Sequence, residues 1–435
     1  PDLQYEVEAI EKVLLMEPGL RLDDDRREGC IHFTKKFQQL TAALMAKGEE
    51  DTADYIYTRL LSLNEVGGFP DHFGVSPEKF HEFNLKRLKL WPHTMNATAT
   101  HDTKRGEDTR SRINVLSEIP GEWKGAVKRW RSFNREHKTR TAEGPAPDGN
   151  DEYLIYQTLV GAFPFSKNGM SVFNERMKEY IIKAVREAKV HTAWIEHDER
   201  YEKACTDFIE RILSEDKENV FLPDLAGFQK KIAHLGVFNS LSQMMIKLTS
   251  PGVPDIYQGT ELWDLSLVDP DNRRPVDFAG RKELFTKIKD GEKDLRRFTG
   301  EMLEDMETGI VKMFVLYRIL KARNRFSDMF REGSYVPLEV KGERKGHIIA
   351  FARQGKGGSS ITAVPRFLSS LISEDGLPLG ESVWGDTRIL LPAGWSGRYT
   401  DAVTSAEHTL DDALAAAEAF GSFPVSLLVN DAGHA

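Results

Sequence analysis

Apolar residues recur at helical spacing from the start of the chain to about residue 332, and at strand-like spacing after it. The clearest stripes are Met177, Tyr180, Ile181, Ala184, Val185 and Ala188, and then Tyr201, Ala204, Cys205, Phe208, Ile209, Ile212 and Leu213. Each reads as the buried face of an amphipathic helix. Tyr5 to Leu15 reads as a helix ended by Pro18-Gly19, and residues 35–59 as a second, broken at Lys47-Gly48. Val237–Leu248 and Val311–Arg325 carry two more. Gly, Pro and Asp crowd residues 63–77 and 140–151, which therefore read as loops. Between them Met95-Asn-Ala-Thr-Ala-Thr-His-Asp is short, Thr-rich and small, a buried strand with its polar end at His101-Asp102. Pro251 to Gly259 reads as another short strand flanked by turns.

After residue 333 the texture changes. His347–Arg353, Ser360–Val364, Thr387–Leu391 and Phe423–Val429 are short strands between Gly- and Pro-containing turns, with a short Ala-rich helix at 411–419. A separate all-β domain over 333–435 is the expectation.

Composition narrows the class. The 435 residues are 29% charged and 40% hydrophobic, ordinary globular chemistry. The length holds about three domains, or one (β/α)8 barrel with an appendage. With 59 Lys and Arg against 68 Asp and Glu, the net charge of −9 argues against nucleic acid or anionic lipid as a partner. No apolar run reaches the ~18 residues of a membrane span, and no signal peptide opens the chain. Two cysteines, Cys30 and Cys205, are too few for a disulfide framework, so a cytoplasmic location is expected. Cys205, inside a helical stripe, reads as buried filler. Pro1 stands where an initiator Met would, which predicts processing or a longer parent.

Three stretches could carry chemistry. The first is His101-Asp102 with Lys104, Arg105, Glu107, Asp108 and Arg110 behind it. A strand ending in His-Asp is how parallel α/β barrels present catalytic groups. The plainer reading is a helix start, with Glu107 and Asp108 favoured by the dipole and Arg110 and Arg112 exposed. His93 with His101-Asp102 also faintly resembles an HD-type metal site, although a strand end suits the small residues better than a helix. No metal and no cofactor are expected. The second stretch joins Tyr257 and Trp263 to Asp269, Asp271, Arg273 and Arg274. Aromatic faces beside carboxylates and guanidinium forks suit a polyhydroxylated ligand, and a loop stapled internally by Asp–Arg pairs fits equally well. Third, Lys47 beside Gly48 could place an ammonium at a ligand, or simply be solvated.

Taken together, these stretches resemble the maltooligosyltrehalose synthase family of the α-amylase superfamily. The matching pieces are MAKGEEDTADY (45–55), RLLSLNEVGG (59–68), WPHTMNATATHDTKRGEDTRSRINVLSEIPGEW (91–123), DEYLIYQTLVGAFPF (151–165), REAKVHTAW (186–194) and LTSPGVPDIYQGTELWDLSLVDPDNRRPVDF (248–278). Weaker similarity continues through AVPRF (363–367) and FPVSLLV (423–429). The resemblance implies an isomerase of maltooligosaccharides: the reducing-end α-1,4 linkage becomes α,α-1,1, leaving a terminal trehalose unit. It assigns transition-state stabilisation to Asp102, with His101 beside it. It places substrate contacts on Lys104 and Arg105, on Lys47, and on Tyr257, Asp271 and Arg273.

The pattern departs from the superfamily in one respect. Retaining chemistry needs a nucleophilic carboxylate and a carboxylic acid, which the superfamily carries on its fourth and fifth barrel strands. Gly19-Leu-Arg-Leu-Asp23 resembles the nucleophile motif, but it follows a helix and leaves no room for a fifth strand before residue 45. Glu65 is unsuitable as the acid because its surroundings belong to the segment before the seventh strand. The resemblance therefore implies a carboxyl-terminal portion: part of a (β/α)8 barrel over 1–332, with a mainly helical insertion at about 106–236, then a β-sandwich over 333–435. Such a piece is expected to be inactive alone and, through its exposed half-barrel, to self-associate.

Overall fold

Side-chain caps start several of the helices in the computed structural model, which describes residues 3–16, 23–142, 144–166 and 169–431. Helix α1 (Gln4–Leu14) precedes α2 (Asp24–Met45), whose first turn is capped by the Asp23 carboxylate accepting the Arg26 amide at 2.9 Å. Asp23 thus caps a helix and does not end a strand. Pro18-Gly19, read as the stop of the first helix, and residues 19–22 of the Gly-x-Arg-x-Asp match lie outside the described residues.

The expected break at Lys47-Gly48 does not occur. The chain runs from α2 into a π-helical stretch, Ala46–Ala53, and on into α3 (Asp54–Ile56). The Thr52 hydroxyl donates to the Lys47 carbonyl at 2.7 Å, five residues back, so the wider turn keeps Gly48 inside the coil. The loop after residue 63 ends at Ser76, which accepts the Lys79 amide at 3.3 Å and, with Pro77 at the first position, starts α4 (Pro77–Leu90). This helix was not anticipated. Its core-facing row is Phe80, Asn84 and Leu88, and the exposed Phe83, Leu85 and Leu90 around it blur the apolar stripe.

Strand β1 (Met95–Asn96) is far shorter than expected, and the chain leaves it before reaching His101. Next come α5 (Glu107–Val115) and α6 (Pro120–Phe133). The stretch read as a loop then holds a small antiparallel hairpin, β2 (Thr139–Thr141) and β3 (Gly144–Ala146). Helices α7 (Gly149–Ala162), α8 (Met170–Ala188), α9 (Glu199–Ile212) and α10 (Phe221–Thr249) follow. The two predicted stripes face inward on α8 and α9, and Cys205 is fully buried. Helix α10 is continuous through residue 236. It delivers the chain to β4 (Val253–Pro254), the parallel neighbour of β1, with Met95 opposite Val253. Among the described residues this is the one parallel pair.

Helices α11 (Phe278–Gly291), α12 (Leu295–Glu304), α13 (Ile310–Arg325) and α14 (Ser327–Glu332) lead into the sheet-rich part. It contains β5 (Ser334–Pro337), β6 (Val340–Lys341), β7 (Ile348–Gly355), β8 (Gly358–Pro365), α15 (Glu381–Trp384) and β9 (Arg388–Leu390). Beyond them lie β10 (Gly397–Asp401), β11 (Glu407–Leu410), β12 (Ala413–Ala415), α16 (Ala416–Ala419) and β13 (Ser426–Asn430). A six-stranded antiparallel sheet runs β11-β10-β13-β8-β7-β5, and a three-stranded one runs β12-β9-β6.

Alternation along the strands divides the core. Phe351, Val364 and Leu427 pack with Leu241 and Met245 of α10 and Phe314 of α13, while Ala350, Ile361 and Leu428 join Trp384, Ile389 and Leu414. Burying each large side chain contributes roughly 1.5–3 kcal/mol relative to exposure. Fully buried Arg353 locks the junction by donating to the carbonyls of Thr249 (3.2 Å), Met329 (3.3 Å) and Gly333 (2.9 Å).

Candidate functional site

The loop leaving the carboxyl end of β1 carries His101 and Asp102 on its exposed side. Two staples hold its backbone. The Asn272 side-chain amide, buried, donates to the carbonyls of Thr100 (3.4 Å), His101 (3.1 Å) and Thr103 (3.3 Å). The Glu65 carboxylate accepts the backbone amides of Lys104 (2.7 Å) and Arg105 (3.3 Å) and lies 3.6 Å from the Arg110 guanidinium. Glu65 thereby braces the loop.

A polar row flanks the exposed face. The Lys104 ammonium is buried and donates to Asp51 at 2.7 Å, and Asp51 also pairs with the exposed Lys47. Burial pushes the Asp51 carboxyl up, but the two ammonium groups win and hold it below its ordinary value. The Asp51 hydrogen bond raises Lys47 in turn, helped by the charges of Glu187 and Asp102. One turn on, burial lifts the Asp54 carboxyl to about 7 against the pull of Lys104 and Arg105. The π-helical stretch therefore delivers Lys47 and Asp51 to the side of the His101–Asp102 loop, with Asp54 just beyond it at the start of α3.

Beneath the loop lies a buried ionic cluster. The Lys312 ammonium, fully buried, meets Glu107 at 2.7 Å and Asp108 at 2.6 Å, while Lys247 lies 3.4 Å from Glu107 and donates to the Thr98 hydroxyl at 2.7 Å. Thr98 also bonds Glu107. Burial alone would raise Glu107, yet Lys312 and Lys247 hold it at about 2. Asp108 stays raised, because its burial outweighs Lys312. Arg112 is not exposed as the helix-start reading expected. Its guanidinium lies 4.3 Å over the Phe165 ring, donates to the Phe163 carbonyl at 2.6 Å, and is lowered by burial to about 9. Arg110 is partly buried and bonds the Thr98 carbonyl.

The loop after β4 comes up beside these groups. Tyr257 donates to the Asn272 carbonyl at 3.2 Å. Asp271 is gripped by both arms of the Arg176 guanidinium at 2.8 Å each and accepts the Leu267 amide at 2.7 Å. Arg273, half-exposed, pairs with Asp269 at 2.8 Å. Arg105 is buried beneath the loop, donating to the Tyr180 hydroxyl at 2.9 Å and the Leu61 carbonyl at 3.3 Å. The structure thus links the His101–Asp102 loop to Lys47 through Lys104 and Asp51, and to the Tyr257–Arg273 loop through Asn272. Arg105 and Asp271 are turned inward as braces. Asn272, Arg176, Lys247 and Lys312 were missed as parts of this assembly, while Glu65 was weighed only as an acid. Only the Asp-Pro-Asp-Asn-Arg-Arg run signalled one of them.

No family model matches the chain. A putative maltooligosyl trehalose synthase of Mycobacterium tuberculosis (strain ATCC 25618 / H37Rv) is 34% identical over 399 residues, 91% of this chain and 45% of that protein. The chain is a homologue of the maltooligosyl trehalose synthases. Solved structures agree. The maltooligosyltrehalose synthase of Arthrobacter ramosus superposes with a TM-score of 0.75 at 34% identity, covering 99% of this chain and 49% of that one. Another maltooligosyl trehalose synthase gives 0.71 at 32% identity, covering 98% and 55%. The chain spans about half the length of these synthases. Among its described residues, no helix is long and apolar enough to cross a membrane.

Proposed function

We propose that this chain supplies the sugar-holding side of a maltooligosaccharide transglucosylation site, with Asp102 as its transition-state carboxylate. The observation that carries the reading is the placement of Asp102. It stands exposed on a loop pinned by Asn272 and Glu65, beside the Lys104–Asp51–Lys47 row. Charge developing on the sugar ring is held best by a carboxylate whose position is fixed before reaction. The exposed Lys47 presents a donor to hydroxyls of the glucose being turned over, Lys104 meets that sugar only if its buried ammonium turns from Asp51, and Tyr257 and Arg273 stand on the neighbouring loop. Arg105 and Asp271 act through the backbone they brace. The reaction moves the reducing-end linkage from α-1,4 to α,α-1,1 within one molecule. Such retention needs two carboxyl groups about 5–5.5 Å apart, one a nucleophile and one an acid. The two motif candidates, Asp23 and Glu65, are a helix cap and a loop brace. In this reading those two groups come from protein outside residues 1–435, and these residues alone do not turn over substrate.

The same reading takes β1 and β4 as the last strands of a (β/α)8 barrel over 1–332, interrupted by the helices between them, with a β-sandwich over 333–435. Met95 and Val253 are exposed on the parallel pair, so this surface would self-associate or receive the remaining strands. A cytoplasmic location fits the unpaired Cys30 and Cys205.

Incubating residues 1–435 with maltopentaose is expected to leave the reducing-end count unchanged, and a loss of reducing ends would overturn the inactivity. Calorimetric titration with maltopentaose should show weak binding that Asp102→Asn and Lys104→Ala each reduce at least threefold. Undiminished binding in both variants would place the sugar elsewhere.

A further inference from the structure

A cavity lies away from the His101–Asp102 loop, and none of the residues described around that loop lines it. It encloses about 980 Å³ between α10, the turn from α7 to α8, the end of α12 and the turn at residues 375–377. That is the upper range of sites that enclose a drug-sized molecule. Its walls are apolar: Phe163, Phe165, Met170, Leu222, Ala233 and Leu377. Leu222, Ala226, Gln229, Ala233 and Val237 fall on one stripe of α10 at helical spacing, so a single helix face forms the floor.

Two features point to an occupant and to its chemistry. Gln229 on that floor is 5% exposed, and its amide nitrogen has no hydrogen-bond partner. A buried donor in apolar surroundings is costly unless an acceptor meets it, so an occupant bearing an oxygen acceptor is favoured. The mouth, by contrast, is acidic. Glu215, Asp216, Glu304 and Glu307 are exposed there and none makes an ion pair within 4 Å among the described residues; of the four, Glu307 alone acts on a buried cation, Arg112. The one lysine at the mouth, Lys230, is paired with Asp375 at 3.2 Å. His234 is engaged by the Gly376 carbonyl at 2.7 Å. The unbalanced carboxylates repel an anionic head such as a fatty acid and attract a cation.

We infer that this cavity binds a cationic amphiphile. The apolar body lies along α10, one oxygen acceptor meets the Gln229 amide, and the positive head rests at the Glu215, Asp216, Glu304 and Glu307 rim. Its chemistry is distinct from the hydroxyl-rich ligand of the His101–Asp102 site, and nothing in the inference depends on that site.

The probe is lauroylcholine below its micellar concentration, with its ester carbonyl, apolar tail and quaternary ammonium, titrated calorimetrically into residues 1–435. Saturable one-to-one binding is expected, with laurate, the anionic counterpart of the same tail, at least ~10-fold weaker. Ala233→Phe, which fills the floor, should weaken lauroylcholine at least ~10-fold. Ala226→Phe provides the same test should the first variant melt at a lower temperature than the parent. Gln229→Leu should weaken it ~3-fold or more, having lost the acceptor contact. Exchanging Glu304 and Glu307 for Gln on the exposed rim should narrow the gap between lauroylcholine and laurate. Non-saturable partitioning, equal affinity for laurate, or unchanged binding in a folded cavity-filling variant would each overturn the inference.

Discussion

Lys104 and Asp51 meet at 2.7 Å across 53 residues of sequence, with the ammonium almost fully buried and the carboxylate mostly so. The contact ties the π-helical stretch to the His101–Asp102 loop. Removing only the carboxylate leaves a buried ammonium with no counter-charge there, a larger loss than removing the pair. Asp51→Asn should therefore lower stability by about 2 kcal/mol, and Lys104→Met combined with Asp51→Leu by less than that. Urea midpoints of the single and double variants check this; equal losses would show that the pair is solvated.

Asn272 holds three carbonyls with one amide. Asn272→Ala should cost about 1–2 kcal/mol and free the backbone from Thr100 to Thr103. Asn272→Asp should be worse, because a carboxylate oxygen would face the carbonyl oxygens. Hydrogen exchange at residues 100–105 reads the effect directly. Protection unchanged in Asn272→Ala would assign the loop's order to Glu65 alone.

The buried cluster around Lys312 has a pH signature. Glu107 is held at about 2, below its ordinary range, so its contribution is present above about 4.5 and lost as pH falls towards 2. Asp108 is shifted the other way and offsets part of it. Lys312→Met should cost about 3–5 kcal/mol at pH 7. That deficit should shrink towards pH 4, where the stranded carboxyls take up protons. Urea titrations at the two pH values decide the matter, and a deficit equal at both would mean that the loss comes from packing.

Asp54 should respond in the opposite sense. Its carboxyl is raised to about 7, so the fold favours the protonated form, and stability declines as pH rises from about 4 through 7. Asp54→Asn should match the parent at pH 4 and exceed it at pH 8 by on the order of 1 kcal/mol, allowing for solvent screening. Thermal melts across that range test it. A variant less stable than the parent at pH 8 would mean that the ionised carboxylate is the favoured form.

What the sequence could show follows from range. The stripes of α8 and α9 are local, and both helices lie where Met177 to Ala188 and Tyr201 to Leu213 placed them. The His101–Asp102 motif and the Asp-Pro-Asp-Asn-Arg-Arg run are each contiguous, and Asn272 joins the two. Helix α4 was missed because polar Asn84 interrupts its Phe80–Leu88 face and exposed Phe83, Leu85 and Leu90 blur it, and the π-helical stretch because Gly48 argued for a stop. Strand β1 was read too long, since small residues and threonines are compatible with a strand without enforcing one. Lys247, Lys312 and Arg176 were not legible at all. Each reaches its carboxylate from a distant helix, and no local pattern distinguishes such a lysine or arginine from a solvated one.

The pairing of Met95 with Val253 has a consequence for how the molecule forms. Two residues of ladder offer little energy, while bringing together ends separated by α5 through α10 carries a loop-closure cost that grows with the length between them. The pair cannot nucleate folding. It is the packing of helices α5 to α10, with Lys247 seated on Glu107, that holds the two strands side by side. The loop beside His101 thus depends on those helices for its place, and a lesion deep in them is expected to appear first as an unmade site in an otherwise folded protein.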